Sequence, residues 1–451
     1  KKLFKTFWKE HQWTFFDAFI FGNIAADPDL KPFLFHLTLR SREIEGPLLQ
    51  ALNLLRECDA PLPFFKTFRS YTELSAPLWG GHPFLRKQTL QGLAAGFYPR
   101  HGFGYSKSFA YGRSTPIGSL FKIVTGYEAL KQKYHYHQNH DLPLYDLSPF
   151  EMIDEANPKI VTENGIVLGR YLDGSFITRH HKGGRMPQSH APLGKVDFRM
   201  AMERSSNLYF SLLASEHINH PADLFKTTKA LGFGSRTGID LYGEIPGYVP
   251  DDIRDSKTGL YAFAIGQHSL VVTPLQTAGM LAAIGNGGKV YKPKLIKMEA
   301  SPDGVKEHPP YLKTTIDMPP RVRSELLEGL KRVVTGEKGP VQPYRIRTLY
   351  EHPKWIPDYK ALQSQFVGKT STAEFVYRPT LDRETPPTIC KDIWFGALAF
   401  KKGDNYKTDI PELAVVVYLR FGDYGKEAAP LAANIIKKWR EIEESHYSEK
   451  E

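Results

Sequence analysis

Residues 116–125 (PIGSLFKIVT) contain a serine, Ser119, at the predicted start of an amphipathic helix and a lysine, Lys122, three residues later. Side chains three residues apart on a helix lie one turn apart on the same face, so the lysine can act as base for the serine hydroxyl. That role requires a neutral lysine, which burial and a second nearby cation would favour. The motif alone is weak, because a capping serine followed by a solvated lysine is common.

A second polar motif, Ser205-Ser206-Asn207, lies between two predicted helices at residues 195–204 and 208–216. A hydroxyl and an amide two residues apart on a tight turn point the same way, so one can relay a proton while the other holds a substrate amide. The same residue types also cap helices, so this motif does not assign a function by itself.

A third motif, Lys369-Thr370-Ser371-Thr372, lies in a strand predicted over residues 365–375. A lysine followed by alternating hydroxyl residues gives a strand face that can bind a carboxylate, and the lysine is the second cation that the first motif requires. An exposed edge strand with a solvated lysine is the alternative. A literal Lys257-Thr258-Gly259 also occurs, but its polar surroundings predict a surface loop.

The remaining pattern predicts an α/β domain with a central antiparallel sheet. Further strands are predicted at 393–400 and 412–421, and a final helix at 428–444. The pattern of residues 165–179 predicts a β-hairpin with its turn at Asp173-Gly174. A threonine followed by a proline predicts that another helix begins at Thr273. Helices on both sides of a late run of strands favour a layered α/β fold.

The chain has 451 residues, which predicts a large domain at 76–451 preceded by a mostly helical accessory region at 1–75. Residues 76–110 show no clear strand pair. The apolar stretch at 15–26 is shorter than the ~20 residues of a membrane span, so we expect any membrane contact to come from a segment outside this sequence.

Composition excludes several classes of protein. Hydrophobic residues at 41% and charged residues at 24% are typical of a globular chain, not a disordered one. The net charge of +10 is scattered without a basic stripe, which argues against nucleic-acid binding. Cys58 and Cys390 have no metal-ligand spacing, and 179–182 (RHHK) reads as a solvated strand end, so we expect no metal and no cofactor.

Taken together, the three motifs match one constellation in chain order and in placement on helix start, inter-helix turn and strand. The segments MERSSNLYFSLLA, LGFGSRTGIDLYGEIPG, AIGQHSLVVTPLQTAGMLAAIGNGG, GKTSTAE, WFGALAF and AVVVYLRFG extend the match over residues 111–439. The chain therefore resembles the transpeptidase domain of penicillin-binding proteins. The resemblance implies the penicillin-binding-protein/β-lactamase-like fold: a central antiparallel sheet flanked by helices, plus an all-helical subdomain.

The resemblance also implies roles for individual residues. The implied catalytic residues are Ser119, Lys122, Ser205 and Lys369. The implied substrate-binding residues are Asn207, Thr370, Ser371 and Thr372. In this scheme Ser119 is acylated, Lys122 is its base and Ser205 relays protons, while the N–H groups of Ser119 and Thr372 form an oxyanion hole. Ser371 replaces the usual glycine of the family, and we expect its side chain to narrow the pocket.

The implied reaction is the cross-linking of peptidoglycan stem peptides through a serine acyl-enzyme at the periplasmic face of the bacterial inner membrane. The implied ligands are D-Ala-D-Ala peptides and, as covalent inhibitors, β-lactams, with cell-wall synthesis or division proteins as further partners. Two alternatives stay open: a hydrolase on the same scaffold, either a D,D-carboxypeptidase or a class D-like β-lactamase, and a non-catalytic peptidoglycan-binding scaffold.

Overall fold

The computed structural model describes residues 108–155, 160–179, 187–241, 243–301, 304–377 and 388–448. Apart from residues 108 and 109, these belong to one compact unit, Ala110–Tyr377 with Pro387–Glu451. The predicted helical region at 1–75, its boundary with 76–451, and residues 76–107 lie outside the described residues.

The helices are α1 (Phe109–Gly112), α2 (Lys122–Asn139), α3 (Phe198–Arg204), α4 (Asn207–Glu216), α5 (Pro221–Ala230), α6 (Lys257–Ala264), α7 (Pro274–Gly285), α8 (Pro320–Thr335), α9 (Arg347–Glu351), α10 (Ile356–Gln363) and α11 (Ala429–Ser448). Short 3-10 helices span Gly118–Phe121, Asp252–Arg254, Pro343–Arg345, Pro353–Trp355 and Gly425–Ala428. In the described part of the chain, no helix is both long and apolar enough to cross a membrane.

The strands are β1 (Met152–Asp154), β2 (Val161–Thr162), β3 (Gly165–Arg170), β4 (Phe176–Arg179), β5 (Gly194–Val196), β6 (Lys289–Lys292), β7 (Met298–Ser301), β8 (Gly304–Glu307), β9 (Tyr311–Thr315), β10 (Phe366–Tyr377), β11 (Thr388–Ala399) and β12 (Leu413–Arg420). Strands β1–β5 form one small sheet, and β6 pairs with β9 while β7 pairs with β8.

The long strands form an antiparallel sheet in the order β10-β11-β12. The three predicted C-terminal strands are therefore confirmed, although β11 begins at Thr388, five residues before its predicted start. Lys369 on β10 lies opposite Gly396 on β11. Within the described residues β10 pairs with β11 alone, so the strand that carries the third motif is at the edge of this sheet.

The central strand β11 is apolar on both faces because helices cover both faces. Trp394 and Leu398 pack into a core shared with helices α2, α4, α7 and α8. Phe395 and Ala397, which point the other way, pack into a second core shared with α10 and α11. A strand buried on both sides reads as a continuous apolar run, which accounts for WFGALAF in the sequence.

The turn before Ser119 is fixed by backbone contacts to the segment between α6 and α7. Thr115 and Val272 exchange two backbone hydrogen bonds of 3.0 Å. The Gly118 N–H donates to the Gly266 carbonyl at 2.8 Å, and Gly118 has φ +59°, a conformation that favours glycine. These bonds hold residues 115–118 so that α2 begins at a defined place.

Local structure differs from the sequence expectations at three places. The helix predicted at 195–204 begins only at Phe198, because Gly194–Val196 pairs with β1 as a strand. The β3–β4 hairpin forms as predicted, but its loop covers residues 171–175, and of the predicted turn pair Gly174 alone has positive φ. Lys257 begins helix α6, capped by Ser256, where a loop was predicted.

We expect Gly266→Ala to destabilise the domain more than a matched glycine change. A Cβ on Gly266 (φ +75°) would lie 2.0 Å from the Gly118 carbonyl oxygen, whereas a Cβ on Gly232 (φ +94°) meets nothing within 4 Å. The Gly232→Ala control should lower the free energy of unfolding by about 1 kcal/mol through φ strain alone. Gly266→Ala should lower it by about 3 kcal/mol or more, because backbone must also move. Urea denaturation of both variants measures the difference, and equal losses would contradict this account of the turn.

Candidate active site

Ser205 lies at the centre of a buried polar cluster. It occupies the junction of α3 and α4 in a left-handed conformation, φ 57° and ψ 45°, which is uncommon for a residue with a side chain. Its hydroxyl oxygen accepts hydrogen bonds from Lys369 Nζ at 2.8 Å and from Lys122 Nζ at 3.0 Å. One hydroxyl therefore bridges two lysines that are far apart in the sequence.

Lys122 opens helix α2 and is fully buried. Besides the Ser205 hydroxyl, its ammonium donates to the Ser205 carbonyl at 2.7 Å and to Asn207 Oδ1 at 2.7 Å. These three acceptors match the three donors of a charged lysine. The Asn207 amide is oriented in turn, because its Nδ2 donates to the Gln188 carbonyl at 3.1 Å.

Lys369 reaches the same cluster from strand β10 and is also fully buried. Its second hydrogen bond goes to the Thr370 carbonyl at 3.1 Å. Burial lowers the pKa of Lys369 to about 7. Burial is the main reason that the pKa of Lys122 lies well below its usual value, and the positive charge of Lys369 lowers it further. The carboxylate of Asp154 has the opposite effect and raises the pKa of Lys122. The second cation that the first motif requires is therefore present.

Ser119 occupies the 3-10 turn that leads into α2 and is partly exposed. Because each donor of Lys122 already has an acceptor, the Ser119 hydroxyl is left without a bond to that lysine in this structure. A partly open hydroxyl at a helix start is accessible to a substrate, and its N–H lies at the positive end of the helix dipole. The first motif thus enters the cluster through Lys122, which joins it to the other two motifs.

The residues after Lys369 alternate between the two faces of β10. Ser371 shares the face of Lys369, is buried, and donates to the Ile117 carbonyl at 2.7 Å. Thr370 and Thr372 lie on the opposite face, both partly exposed, and Thr372 Oγ1 accepts the Gly425 N–H at 3.1 Å. Ser371 was predicted to line and narrow the pocket; the structure corrects this, because its hydroxyl points into the protein interior.

Residues 176–437, more than half of the chain, match the family model of the penicillin binding protein transpeptidase domain. The chain belongs to this family. The match includes Ser205, Asn207 and Lys369 but begins after Ser119 and Lys122. The roles of the two earlier residues therefore depend on the sequence resemblance and on the geometry above.

Individual relatives agree with the transpeptidase family. The chain is 31% identical over 269 residues to stage V sporulation protein D of Bacillus subtilis (strain 168), which covers 57% of this chain and 36% of that protein. It is 26% identical over 311 residues to the peptidoglycan D,D-transpeptidase MrdA of Haemophilus influenzae, which covers 65% of this chain and 43% of that protein. The chain thus spans less than half the length of these two curated relatives.

A solved transpeptidase structure shares the fold. Penicillin-binding protein A from M. tuberculosis, in a ceftriaxone acyl-enzyme complex, superimposes with a TM-score of 0.50 at 22% identity, covering 77% of this chain and 66% of that one. The predicted fold class is confirmed: the transpeptidase domain is α/β, with antiparallel sheets and helices packed around them.

Sequence reasoning about this transpeptidase domain missed the support beneath Ser205. The carboxylate of Asp154 on β1 is fully buried and accepts hydrogen bonds from Ser189 Oγ at 2.5 Å and Ser206 Oγ at 2.6 Å. Ser206 also caps α4 by accepting the Tyr209 N–H at 3.0 Å. Asp154 lies about fifty residues before the motif it supports, and no local pattern in the sequence marks it.

Two other candidates lie away from the lysine cluster. Lys257 is exposed at the start of α6 and is not part of the cluster. Arg179 forms an ion pair with Glu216. Residues 180–182 lie outside the described residues. In the described ranges there is no group of His, Cys, Asp and Glu side chains suited to a metal ion.

Burial of Lys369 should make the stability of the transpeptidase domain depend on pH. Its folded pKa of about 7 is below its ordinary value of 10.5, so the unfolded state binds more protons between these values and stability rises with pH across that window. We expect Lys369→Met to be more stable than wild type near pH 7, with the advantage falling by on the order of 3 kcal/mol by pH 10. Urea denaturation at several pH values tests this.

The control for that measurement is Lys257→Met, which removes an exposed lysine of the same charge. This variant measures how far the loss of one exposed positive charge by itself changes stability over the same pH range. A pH dependence for Lys369→Met no different from that of this control would contradict a lowered pKa at Lys369.

Proposed function

We propose that this chain is a peptidoglycan D,D-transpeptidase that acts through an acyl-enzyme on Ser119. The observation that carries the proposal is the convergence of two buried lysines on one serine hydroxyl, at 3.0 Å for Lys122 and 2.8 Å for Lys369. Burying two like charges together is costly unless one of them gives up its proton easily. A readily deprotonated lysine beside a serine at a helix start is the arrangement that general-base catalysis requires.

In the first half-reaction the Ser119 hydroxyl attacks the carbonyl carbon of the penultimate D-Ala of a stem peptide. Its proton passes to neutral Lys122, and the carbonyl oxygen becomes an oxyanion held by the N–H groups of Ser119 and Thr372. The C–N bond to the terminal D-Ala then breaks, and the leaving amine takes a proton relayed through Ser205. The products are an ester on Ser119 and free D-Ala.

In the second half-reaction an amine from a neighbouring stem peptide attacks the ester. It loses a proton to the same relay, the new amide bond forms, and the Ser119 oxygen leaves and recovers its proton. Ser205 suits the relay because its hydroxyl is in contact with both lysines, so a proton moves from either lysine without a change of backbone.

Activation requires one rearrangement within the cluster. The bonds of Lys122 to the Ser205 carbonyl and to Asn207 fit its charged form, and loss of a proton leaves a lone pair that can accept the Ser119 hydroxyl. The positive charge of Lys369 favours that loss. In this proposal Asn207 holds a substrate amide, Thr370 and Thr372 contact the terminal carboxylate from their partly exposed face of β10, and Lys369 adds its positive charge from the buried face.

The cellular setting is part of the same proposal. Peptidoglycan stem peptides are the substrates, β-lactams acylate Ser119 as inhibitors, and the domain acts at the periplasmic face of the bacterial inner membrane with cell-wall synthesis or division proteins. The relatives named for peptidoglycan D,D-transpeptidase activity and the acyl-enzyme complex of the structural neighbour support it.

We expect Ser119→Ala to abolish covalent labelling by penicillin while the fold is kept. The change removes the nucleophile and, at a partly exposed turn, little packing. Mass spectrometry of penicillin-treated protein reports the adduct, and Tm reports the fold. An adduct on another serine would overturn the assignment. No adduct on wild type would favour the non-catalytic scaffold, and rapid loss of the adduct would favour a β-lactamase.

We expect Lys369→Ala to slow acylation by at least ~100-fold, the usual scale for loss of a catalytic acid-base partner. The matched control is Lys257→Ala, which alters the literal Lys-Thr-Gly triplet at the exposed start of α6 and should acylate like wild type. Second-order rates of penicillin acylation measure both. The reverse ranking would refute the site.

A further inference from the structure

Ser371 joins two segments that the proposed reaction needs in a fixed relation. Its hydroxyl, fully enclosed between β10 and the turn before α2, donates to the Ile117 carbonyl at 2.7 Å. Ile117 precedes Ser119 by two residues, and Ser371 immediately precedes Thr372. The hydrogen bond therefore links, through very short stretches of chain, the two N–H groups assigned to the oxyanion hole.

This link is distinct from the other contacts of the same turn. The bonds of Thr115 to Val272 and of Gly118 to Gly266 attach the turn to the segment between α6 and α7. Among the described residues, Ser371 to Ile117 is the hydrogen bond that joins residues 116–121 to β10. Without it the two halves of the oxyanion hole would be related only by packing and by the indirect bridge of Lys122 and Lys369 through Ser205.

The Ser371 hydroxyl fills the space that a side chain at position 118 would need. A Cβ built on Gly118 would lie 2.4 Å from Ser371 Oγ, so the serine occupies the space beside that glycine. Because Gly118 has no side chain, its backbone is intrinsically more flexible than that of other residues. The conformation of the turn therefore depends more on contacts from other segments, such as the hydrogen bond from Ser371. On the other side of β10, the Gly425 N–H holds Thr372 Oγ1.

We propose that Ser371 is a positioning residue of the acyl-transfer centre: through Ile117 it sets the separation of the Ser119 and Thr372 N–H groups. The proposal rests on the proposed function, because it concerns the oxyanion hole of that reaction. Oxyanion stabilisation depends on donors held in place before charge develops, so a small increase in freedom lowers the acylation rate more than it weakens binding.

The test is the pre-steady-state acylation of Ser371→Ala by penicillin, which separates the dissociation constant of the initial complex from the rate of acylation within it. We expect the acylation rate to fall about tenfold, less than the ~100-fold that follows loss of an oxyanion donor outright. The dissociation constant should stay within about twofold, since no substrate contact is removed.

Ser211→Ala is the matched control. Ser211 is a buried serine whose hydroxyl donates to the Tyr261 carbonyl at 3.1 Å, so the variant loses the same kind of bond away from the turn. It should lower Tm about as much as Ser371→Ala and leave the acylation rate unchanged. The infrared carbonyl stretch of the acyl-enzyme gives a second readout: it should move to higher wavenumber in Ser371→Ala and not in Ser211→Ala, because the ester carbonyl loses hydrogen bonding.

The outcomes separate this inference from the proposed function. Absence of an acyl-enzyme in wild type overturns the proposed function itself. A labelled wild type with an unchanged rate and carbonyl stretch in Ser371→Ala overturns the role of Ser371 alone. Ser371→Gly is a second variant in case the alanine form folds poorly, and it should also be slower than wild type. A faster glycine form would mean that the hydroxyl obstructs the turn, and would equally overturn the inference.

Discussion

The proposed active centre depends on the meeting of two buried lysine side chains at the hydroxyl of Ser205. Neither ammonium is well accommodated there as a full charge: each is removed from water, and each lies near the other. Carbonyl, hydroxyl and amide oxygens accept hydrogen bonds from the two ammonium groups, and the carboxylate of Asp154 lies behind the turn. Together they offset part of the cost of burying the lysines. The two lysines therefore have lowered pKa values, which the proposed reaction would use and which are unfavourable for folding.

The protein tolerates two buried lysines close together because hydrogen bonds and apolar packing fix the segments around them from several sides. The turn before α2 is fixed by the segment between α6 and α7, and the Ser205 turn is fixed by Ser206 and Asp154. The strand that carries Lys369 is backed by β11, which is buried on both faces between two apolar cores. A left-handed Ser205 persists because these neighbours leave it no relaxed alternative.

Much of this arrangement could be predicted from the sequence, and the exceptions have a common cause. The C-terminal strands are local apolar patterns that periodicity predicts, and the three motifs are short local sequences whose combination resembles one family. Asp154, the Ile117 contact of Ser371 and the extra strand at Gly194–Val196 depend on which distant segments meet. The predicted orientation of the Ser371 side chain was wrong for that reason. Alternation along β10 predicts two faces, but the sequence does not show which face packs against the turn before α2.

The turn that carries Ser119 and Lys122 lies outside the segment that matches the family model. The match begins at residue 176, after Ser119 and Lys122, so the family match alone does not tie these two residues to the rest of the site. The structure does so by contact: Lys122 donates twice to Ser205 and once to Asn207, and Ile117 accepts from Ser371. All three partners lie within the matched segment. Because buried polar groups tolerate few rearrangements, these bonds hold residues 117–122 in a fixed relation to the matched segment.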